Sequence, residues 1–199
     1  MKDTRDSGVP WFSNIPQHWE VSRLKFETIH IVDCLHETPP YDPEGEFPAI
    51  RTADVEPGRL LLHQPYRLTT ENYLRWTERL VPVQGDILYT REGERFGIAA
   101  SVPAGVRLCI SQRMMLFRIR PERDSTYFMW QLNSRHVYEQ ASEDQVGTAA
   151  PHVNVEKIRN FCLLVPPLAE QRAIVGRISR ETSHIDGLLT TKQRLLDLL

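Results

Sequence analysis

The chain has only three cysteines, Cys34, Cys109 and Cys162, and no two are close enough to form a CxxC pair. An odd, scattered set signals neither a disulfide framework nor a zinc clip, so buried or free thiols are expected. No apolar run approaches the roughly 18–20 residues a membrane span needs. The opening MKDTRDSGVP lacks the apolar middle of a secretion signal. A cytoplasmic location is the default expectation. Internal repeats and low-complexity tracts are missing as well. So are the GxGxxG and GxxxxGK[ST] phosphate loops, the GxSxG nucleophile elbow and the HExxH zinc motif. The cluster Asp33, Cys34, His36 and Glu37 has metal-capable side chains, but its spacing fits no common ligand pattern and reads as a polar turn. No metal site, bound cofactor or catalytic residue is expected, and the chain is not read as an enzyme.

Lysine is scarce too: four among the 24 basic residues. Residues 1–50 carry 4 basic and 9 acidic groups; residues 51–124 carry 12 and 9, and all 12 are arginine. The middle of an acidic chain is therefore basic. Arginine's planar fork suits guanine edges and phosphates, although arginine also simply solvates many surfaces.

What is present reads as one domain with an appendage. Pro10 and Pro16 forbid a helix through VPWFSNIPQHWEVSRLKF, which reads as a lead-in with a strand near Glu20–Leu24. Trp11 and Trp19 are packing anchors. HETPPYDPEGEFP is a loop by its composition. FPAIRTADV, RLLLHQPY, ERLVPV, GDILYT, GIAASV, VRLCI and MMLFRIR then predict a sheet-rich core. A helix over TYFMWQLNSRHVYEQAS follows, capped by Asp124 or Ser125. Beyond it come a loop at GTAAPHV, a short helix from about Asn154, and a last strand, FCLLV, stopped by Pro166. The fold class is α+β.

From Pro166 a helical pattern runs toward Leu199. Ile178, Ile185, Lys192 and Leu199 repeat every seven residues, beside Ile174, Glu181, Leu188 and Leu195, with Val175, Thr182, Leu189 and Leu196 in a third column. About 32 residues at about 1.5 Å each make a rod of roughly 48 Å, longer than a compact body of about 35–40 Å. Such a rod expects another helix along Ile174, Ile178, Ile185, Leu188, Leu195 and Leu199. The alternative is a rod folded back over its own sheet.

Thr38-Pro39-Pro40-Tyr41 superficially resembles the (Asp/Asn/Ser)-Pro-Pro-(Tyr/Phe) site of adenine amino-methyltransferases. Thr is a poor replacement for the first acceptor and no FxGxG methyl-donor loop accompanies it, so a proline-stiffened turn is the better reading.

IPQHWEVSRLKF (Ile15–Phe26) resembles the opening of a target recognition domain in the specificity subunit of type I restriction–modification systems. PPLAEQRAIVGRISRETSHIDGLLTTKQRLLDLL (Pro166–Leu199) resembles that family's junction into its spacer helix. GDILYTREGERFGIAA and GTAAPHVNVEKIRNF occur between them in the family's usual order. The resemblance implies a recognition domain over 1–166 and a spacer or dimerisation helix over 167–199, in a bacterial or archaeal protein. It implies reading one half of a split DNA site without catalysis. The implied partners are double-stranded DNA, methyltransferase subunits using S-adenosylmethionine, and restriction subunits using ATP and Mg²⁺. A complete family member has two such domains and two antiparallel helices, so one domain and one helix imply a half-subunit, able to form a homodimer through the helix, or a fragment. A helical adaptor that reads no DNA is the alternative.

For DNA contact the loop Thr90-Arg91-Glu92-Gly93-Glu94-Arg95-Phe96-Gly97 ranks first, with two arginines between strands and two glycines permitting close approach. Gln112 and Arg113 come next, then Arg51 and Thr52, then Tyr66 and Arg67 along a backbone, then His152 in the GTAAPH loop. Replacing both Arg91 and Arg95 is expected to lower the salt slope of DNA binding by up to about two.

Overall fold

The computed structural model describes residues 3–143 and 153–197. The N-terminal lead-in forms a hairpin, β1 (Thr4–Val9) with β2 (Phe12–Pro16). The sequence reading missed it because of the two prolines. Pro10 lies in the turn and Pro16 ends the second strand, where the missing N–H costs the ladder nothing. Gly8, at φ 75°, supplies the left-handed step. β3 (Glu20–Arg23) falls where expected, followed by the single turn α1 (Leu24–Glu27) and by β4 (Thr28–Asp33).

The runs after the HETPPYDPEGEFP loop are used unevenly. β5 (Phe47–Ile50) leads through a tight turn into the short hairpin β6 (Val55–Glu56) and β7 (Arg59–Leu60). The rest of RLLLHQPY and all of ERLVPV lie outside strands. Between them stand β8 (Arg67–Leu68) and an unforeseen helix, α2 (Thr70–Trp76), whose Thr69 side chain caps the Asn72 N–H. Seven residues are too few for helical periodicity to register, and the rest of RLLLHQPY and ERLVPV are apolar loops rather than strands, with Leu62 and Leu80 half-buried and Val81 and Val83 exposed.

β9 (Ile87–Thr90), β10 (Ala99–Ser101), β11 (Cys109–Ile110) and β12 (Met114–Ile119) match their runs. The predicted single helix is two, α3 (Ser125–Leu132) and α4 (Arg135–Ser142). Asp124 caps the first through the Tyr127 N–H, and Ser134 restarts the chain by capping Val137. α5 (Val155–Arg159) begins at the Asn154 cap, β13 (Cys162–Val165) follows, and α6 spans Leu168–Leu196.

The central sheet runs β10-β9-β12-β4, all antiparallel. Its side chains alternate between two cores. Met115, Phe117 and Ile119 join Ile87, Tyr89, Phe128, Leu132 and Ile158 under the helices. Met114 and Leu116 join Leu88, Ile50, Val55 and Ile110 on the opposite face. A sheet covered on both faces has no polar side, so β12 opens on a non-alternating apolar run, Met114–Phe117, interrupted only by Arg118, whose guanidinium forks onto Asp86. On that second face β11 lies parallel to β5, and β5 antiparallel to β8. Phe47, Leu68, Tyr73 and Trp76 close a third cluster beneath α2.

α6 touches the body only at its base. Gln171 is buried, and Ile174 and Val175 pack on the helix-side core. Every residue from Ser179 to Asp197 is exposed. Its 29 residues make a rod of about 43 Å, with Ile185, Leu188, Leu189, Leu195 and Leu196 all more than half exposed. It does not fold back over the sheet.

Candidate nucleic-acid interface

The parallel pairing of β5 and β11 decides where the candidate residues go. Two parallel strands end on the same side, so Arg51-Thr52 after β5 and Ser111-Gln112-Arg113 after β11 emerge together, tied by the Ser111 N–H to the Ile50 carbonyl at 2.8 Å. The loop after β9 joins them. The Arg91 N–H donates to the Arg113 carbonyl at 3.1 Å, and the Arg95 guanidinium donates to the carbonyls of Thr52 (3.3 Å) and Val55 (2.7 Å). Tyr66 completes the group: the Arg51 guanidinium lies 3.9 Å from its ring centroid, and the Tyr66 carbonyl accepts from the Ala49 N–H. Four segments far apart in sequence thus share one surface.

Their roles differ from the sequence ranking. Thr90 is buried, its hydroxyl donating to the Arg95 carbonyl and accepting from the Ile98 N–H. Arg91, ranked first for DNA contact, is 3% exposed. Its Nη2 lies 2.7 Å from Glu92 Oε1, and its Nε lies 3.4 Å from Asp33 Oδ1, close enough to pair but not aligned for a hydrogen bond. Both expected contacts, Arg91 and Thr90, thus lie beneath the surface, where a cation between two carboxylates holds the loop's shape. Arg95 is exposed at its edge, but backbone carbonyls occupy its Nε and Nη2. The paired Arg91 and Arg95 replacement would therefore disturb the loop rather than simply remove two phosphate contacts.

Two aromatic anchors stiffen the loop. Phe96 is buried and stacks on Tyr138 at 5.0 Å. Gly97 has φ 82°, and a Cβ there would stand 3.1 Å from the Tyr138 ring, so only glycine fits without displacing it.

Arg51 is fixed with equal firmness. Its Nε and Nη2 form a fork onto Asp54 at 2.9 and 2.8 Å, and the Asp54 hydrogen bond is the main cause holding its pKa above the usual arginine value. With its charge matched, the guanidinium serves as a plate under Tyr66. Tyr41 leans against Tyr66 at 4.5 Å between centroids, and its hydroxyl, held above its ordinary pKa chiefly by burial, donates to Ser111 Oγ at 3.4 Å. Tyr41 belongs to the TPPY turn and was not among the expected contacts; only its aromatic character signalled it. Tyr41, Asp42, Pro43, Pro65, Tyr66 and Arg67 line a groove of about 380 Å³.

The groups facing outward are Arg113, 60% exposed, Tyr66, 49% exposed, and Arg67, whose Nη1 donates to the Glu46 carbonyl at 3.0 Å. Arg113 has φ 67° and is the sole non-glycine residue with positive φ among the described residues. Its one ion-pair neighbour among them, Glu92, is at 4.0 Å. Beside it the Gln112 side-chain oxygen is buried with no partner among the described residues. His152, with the rest of the GTAAPH loop, lies outside the described residues, as does Leu199. In the Asp33 cluster, Asp33 accepts from the Cys34 N–H and lies 3.1 Å from His36 Nε2, while Glu37 accepts from Arg75. The carboxylates are engaged within the protein, and no group of three metal-ligating side chains occurs among the described residues. Nor is any described helix long and apolar enough to cross a membrane.

Comparison with known proteins supplies the family. The family described as "Type I restriction modification DNA specificity domain" matches residues 16–196. A curated relative, the type I restriction enzyme MjaVIII specificity subunit of Methanocaldococcus jannaschii, is 24% identical over 185 residues, covering 90% of this chain and 42% of that protein. The HsdS subunit from Thermoanaerobacter tengcongensis superposes with a TM-score of 0.59 at 19% identity, over 91% of this chain and 41% of that one. A chain from a study of complex assembly and conformational transition of the type I R-M system superposes at 0.64 and 18% identity, over 93% and 42%. The M. genitalium S subunit superposes at 0.57 and 12%, over 88% and 42%. The chain thus spans about two-fifths of the length of the relatives it matches, with the fold of a recognition domain followed by a long helix. On the match over residues 16–196, it belongs to the type I restriction modification DNA specificity domain family.

Proposed function

We propose that this chain reads one half of a split DNA site for a type I restriction–modification system and positions other subunits' chemistry on it. The convergence of Arg51-Thr52, Tyr66-Arg67, the Thr90–Arg95 loop and Gln112-Arg113 on one surface carries the reading. Arg113, Thr52, Tyr66 and Arg67 form the contact layer: a guanidinium suited to base edges, and a hydroxyl, a ring and a second guanidinium suited to the backbone; Gln112 stands beside Arg113 with its amide oxygen turned inward. Arg51, Arg91 and Arg95 form the layer beneath, where ion pairs and carbonyl contacts keep the loops in shape.

The rod presents Ile178, Ile185, Leu188 and Leu195 to a second spacer helix. Methyltransferase and restriction subunits assemble around it, and they carry the S-adenosylmethionine, ATP and Mg²⁺ requirements. The chain itself catalyses no step, a reading supported by the lack of any nucleophile, phosphate-loop or zinc motif in its sequence. The test is to map methylated adenines in a host carrying its methyltransferase, with and without this chain. One split motif that appears only with the chain is expected, and a symmetric motif identifies a homodimer. An unchanged methylation pattern refutes the proposal.

A further inference from the structure

We infer that Glu170 is a positioning residue whose carboxylate fixes the direction in which α6 leaves the body, and through it the gap between half-sites. The inference rests on the reading of α6 as a spacer. It explains why the two most specific stretches, IPQHWE and PPLAEQ, meet in space. Glu170 Oε1 is 2.6 Å from His18 Nε2, and Oε2 accepts from the Trp19 indole N–H at 3.0 Å. Both oxygens are engaged, so the first turn of α6 cannot roll without breaking a contact.

The receiving end is itself anchored. The Trp19 backbone N–H donates to the Pro16 carbonyl, and Arg5 Nη2 donates to the Trp19 carbonyl at 2.8 Å. Glu20 then pairs in register with Val165 of β13, the strand that feeds the helix. Gln171, the next residue along α6, points about 100° away around the axis. It is fully buried; its Oε1 accepts from the Asp124 N–H at the start of α3, and its Nε2 donates to the Pro166 carbonyl. Consecutive residues therefore hold one turn against two different elements. Two anchors off a common line fix a tilt, which one cannot.

Ile174 and Val175 add non-directional apolar packing one turn on, and nothing beyond Ile178 touches the body, because residues 179–197 are all exposed. From Glu170 to Leu196 the rod is about 39 Å long. A swing of about 10° at the base displaces the tip by about 7 Å, close to two steps of DNA at about 3.4 Å each. The side chains of Glu170 and His18 are 41% and 50% exposed, so the contact adds little to fold stability. Direction, not stability, is what it sets.

Nitroxide labels at Glu71→Cys and Thr191→Cys in the full chain, with Cys162→Ala to avoid stray labelling, read the angle as a distance distribution. One narrow peak is expected. Glu170→Ala and Trp19→Phe broaden it, whereas Glu170→Gln keeps it narrow, because the amide carbonyl still accepts from the indole and its N–H can donate to the other imidazole tautomer. In parallel, methylation by the complex is scored on substrates with the half-sites intact and the gap varied. The wild-type chain prefers one gap by at least about tenfold, since a 1 Å misplacement of reacting groups can cost about a hundredfold. Glu170→Ala accepts gaps changed by one or two base pairs with the same half-site preference. An unbroadened distribution for Glu170→Ala overturns the inference, as does a broadened one with unaltered gap preference. Loss of site-specific methylation in the wild-type complex defeats the proposed function instead, and the distance measurement still decides the clamp.

Discussion

Replacing Arg113 with glycine separates recognition from folding. Arg113 is held at φ 67°, a left-handed conformation costing roughly 1–2 kcal/mol for a residue with a Cβ. Glycine removes that cost but frees the unfolded chain by about 0.4–1 kcal/mol. The pair lost with Glu92, at 4.0 Å and 60% exposed on the arginine side, contributes about 0–1 kcal/mol. The hydrogen bond from the Arg91 N–H to the Arg113 carbonyl involves only backbone and survives. The balance lies between a loss of about 1 kcal/mol and a gain of about 1.6 kcal/mol, a shift in Tm between about −4 and about +6 °C for a chain of this size. Recognition should fall in either case. If the guanidinium reads a base edge, about 1–3 kcal/mol of discrimination disappears at one position; if it meets a phosphate, the salt slope falls by about 0.9 with no base affected. Scanning fluorimetry gives the first quantity, and methylation of substrates varied one base at a time, over a series of salt concentrations, gives the second. A fall in Tm of more than about 4 °C with unchanged methylation would show that Arg113 serves the fold, and the reasoning would fail.

Arg91→Ala should destabilise the body by about 3–5 kcal/mol, because it leaves Glu92 and Asp33 without their shared cation under the surface; thermal melting lowered by less than about 5 °C contradicts the buried role. Ile185→Ser with Leu188→Ser should leave the body's Tm within about 2 °C, since both are more than half exposed, while abolishing assembly in light scattering; retained assembly places the helix partner elsewhere. Burial pushes the Cys109 thiol up to about 12, and Cys34 also upward, so both should resist iodoacetamide at pH 9 until the protein unfolds. Because the folded Cys109 thiol keeps its proton while the unfolded one loses it near its ordinary value, stability should decline as pH rises from about 9 to 12. Full alkylation of native protein at pH 9 contradicts that.

The rod was legible in the sequence because a helix is a local structure: its periodicity, its proline stop and its excess over the body's diameter all lie in one continuous stretch. Most strands of the central sheet were legible for the same reason, as short apolar runs between turns. The two-faced burial of β12 explains why its run shows no alternation, and the break at Asn133-Ser134 was hidden inside a segment helical on both sides. The resemblance in Ile15–Phe26 and Pro166–Leu199 gave the family, but not the fact that those segments touch. His18 and Glu170 are 152 residues apart, and no local pattern encodes such a contact.

Sequence by itself therefore determined an α+β body, the exposed apolar rod and the absence of a recognisable catalytic motif, because each is written in residues near one another. Only the tertiary structure decided that β5 and β11 run side by side, so that Arg51, Tyr66, Arg95 and Arg113 share a surface. It alone separated the arginine that faces outward from the one buried between carboxylates. Side-chain type fixes what a guanidinium can bind; whether water, a carboxylate or nucleic acid meets it depends on what the fold packs around it.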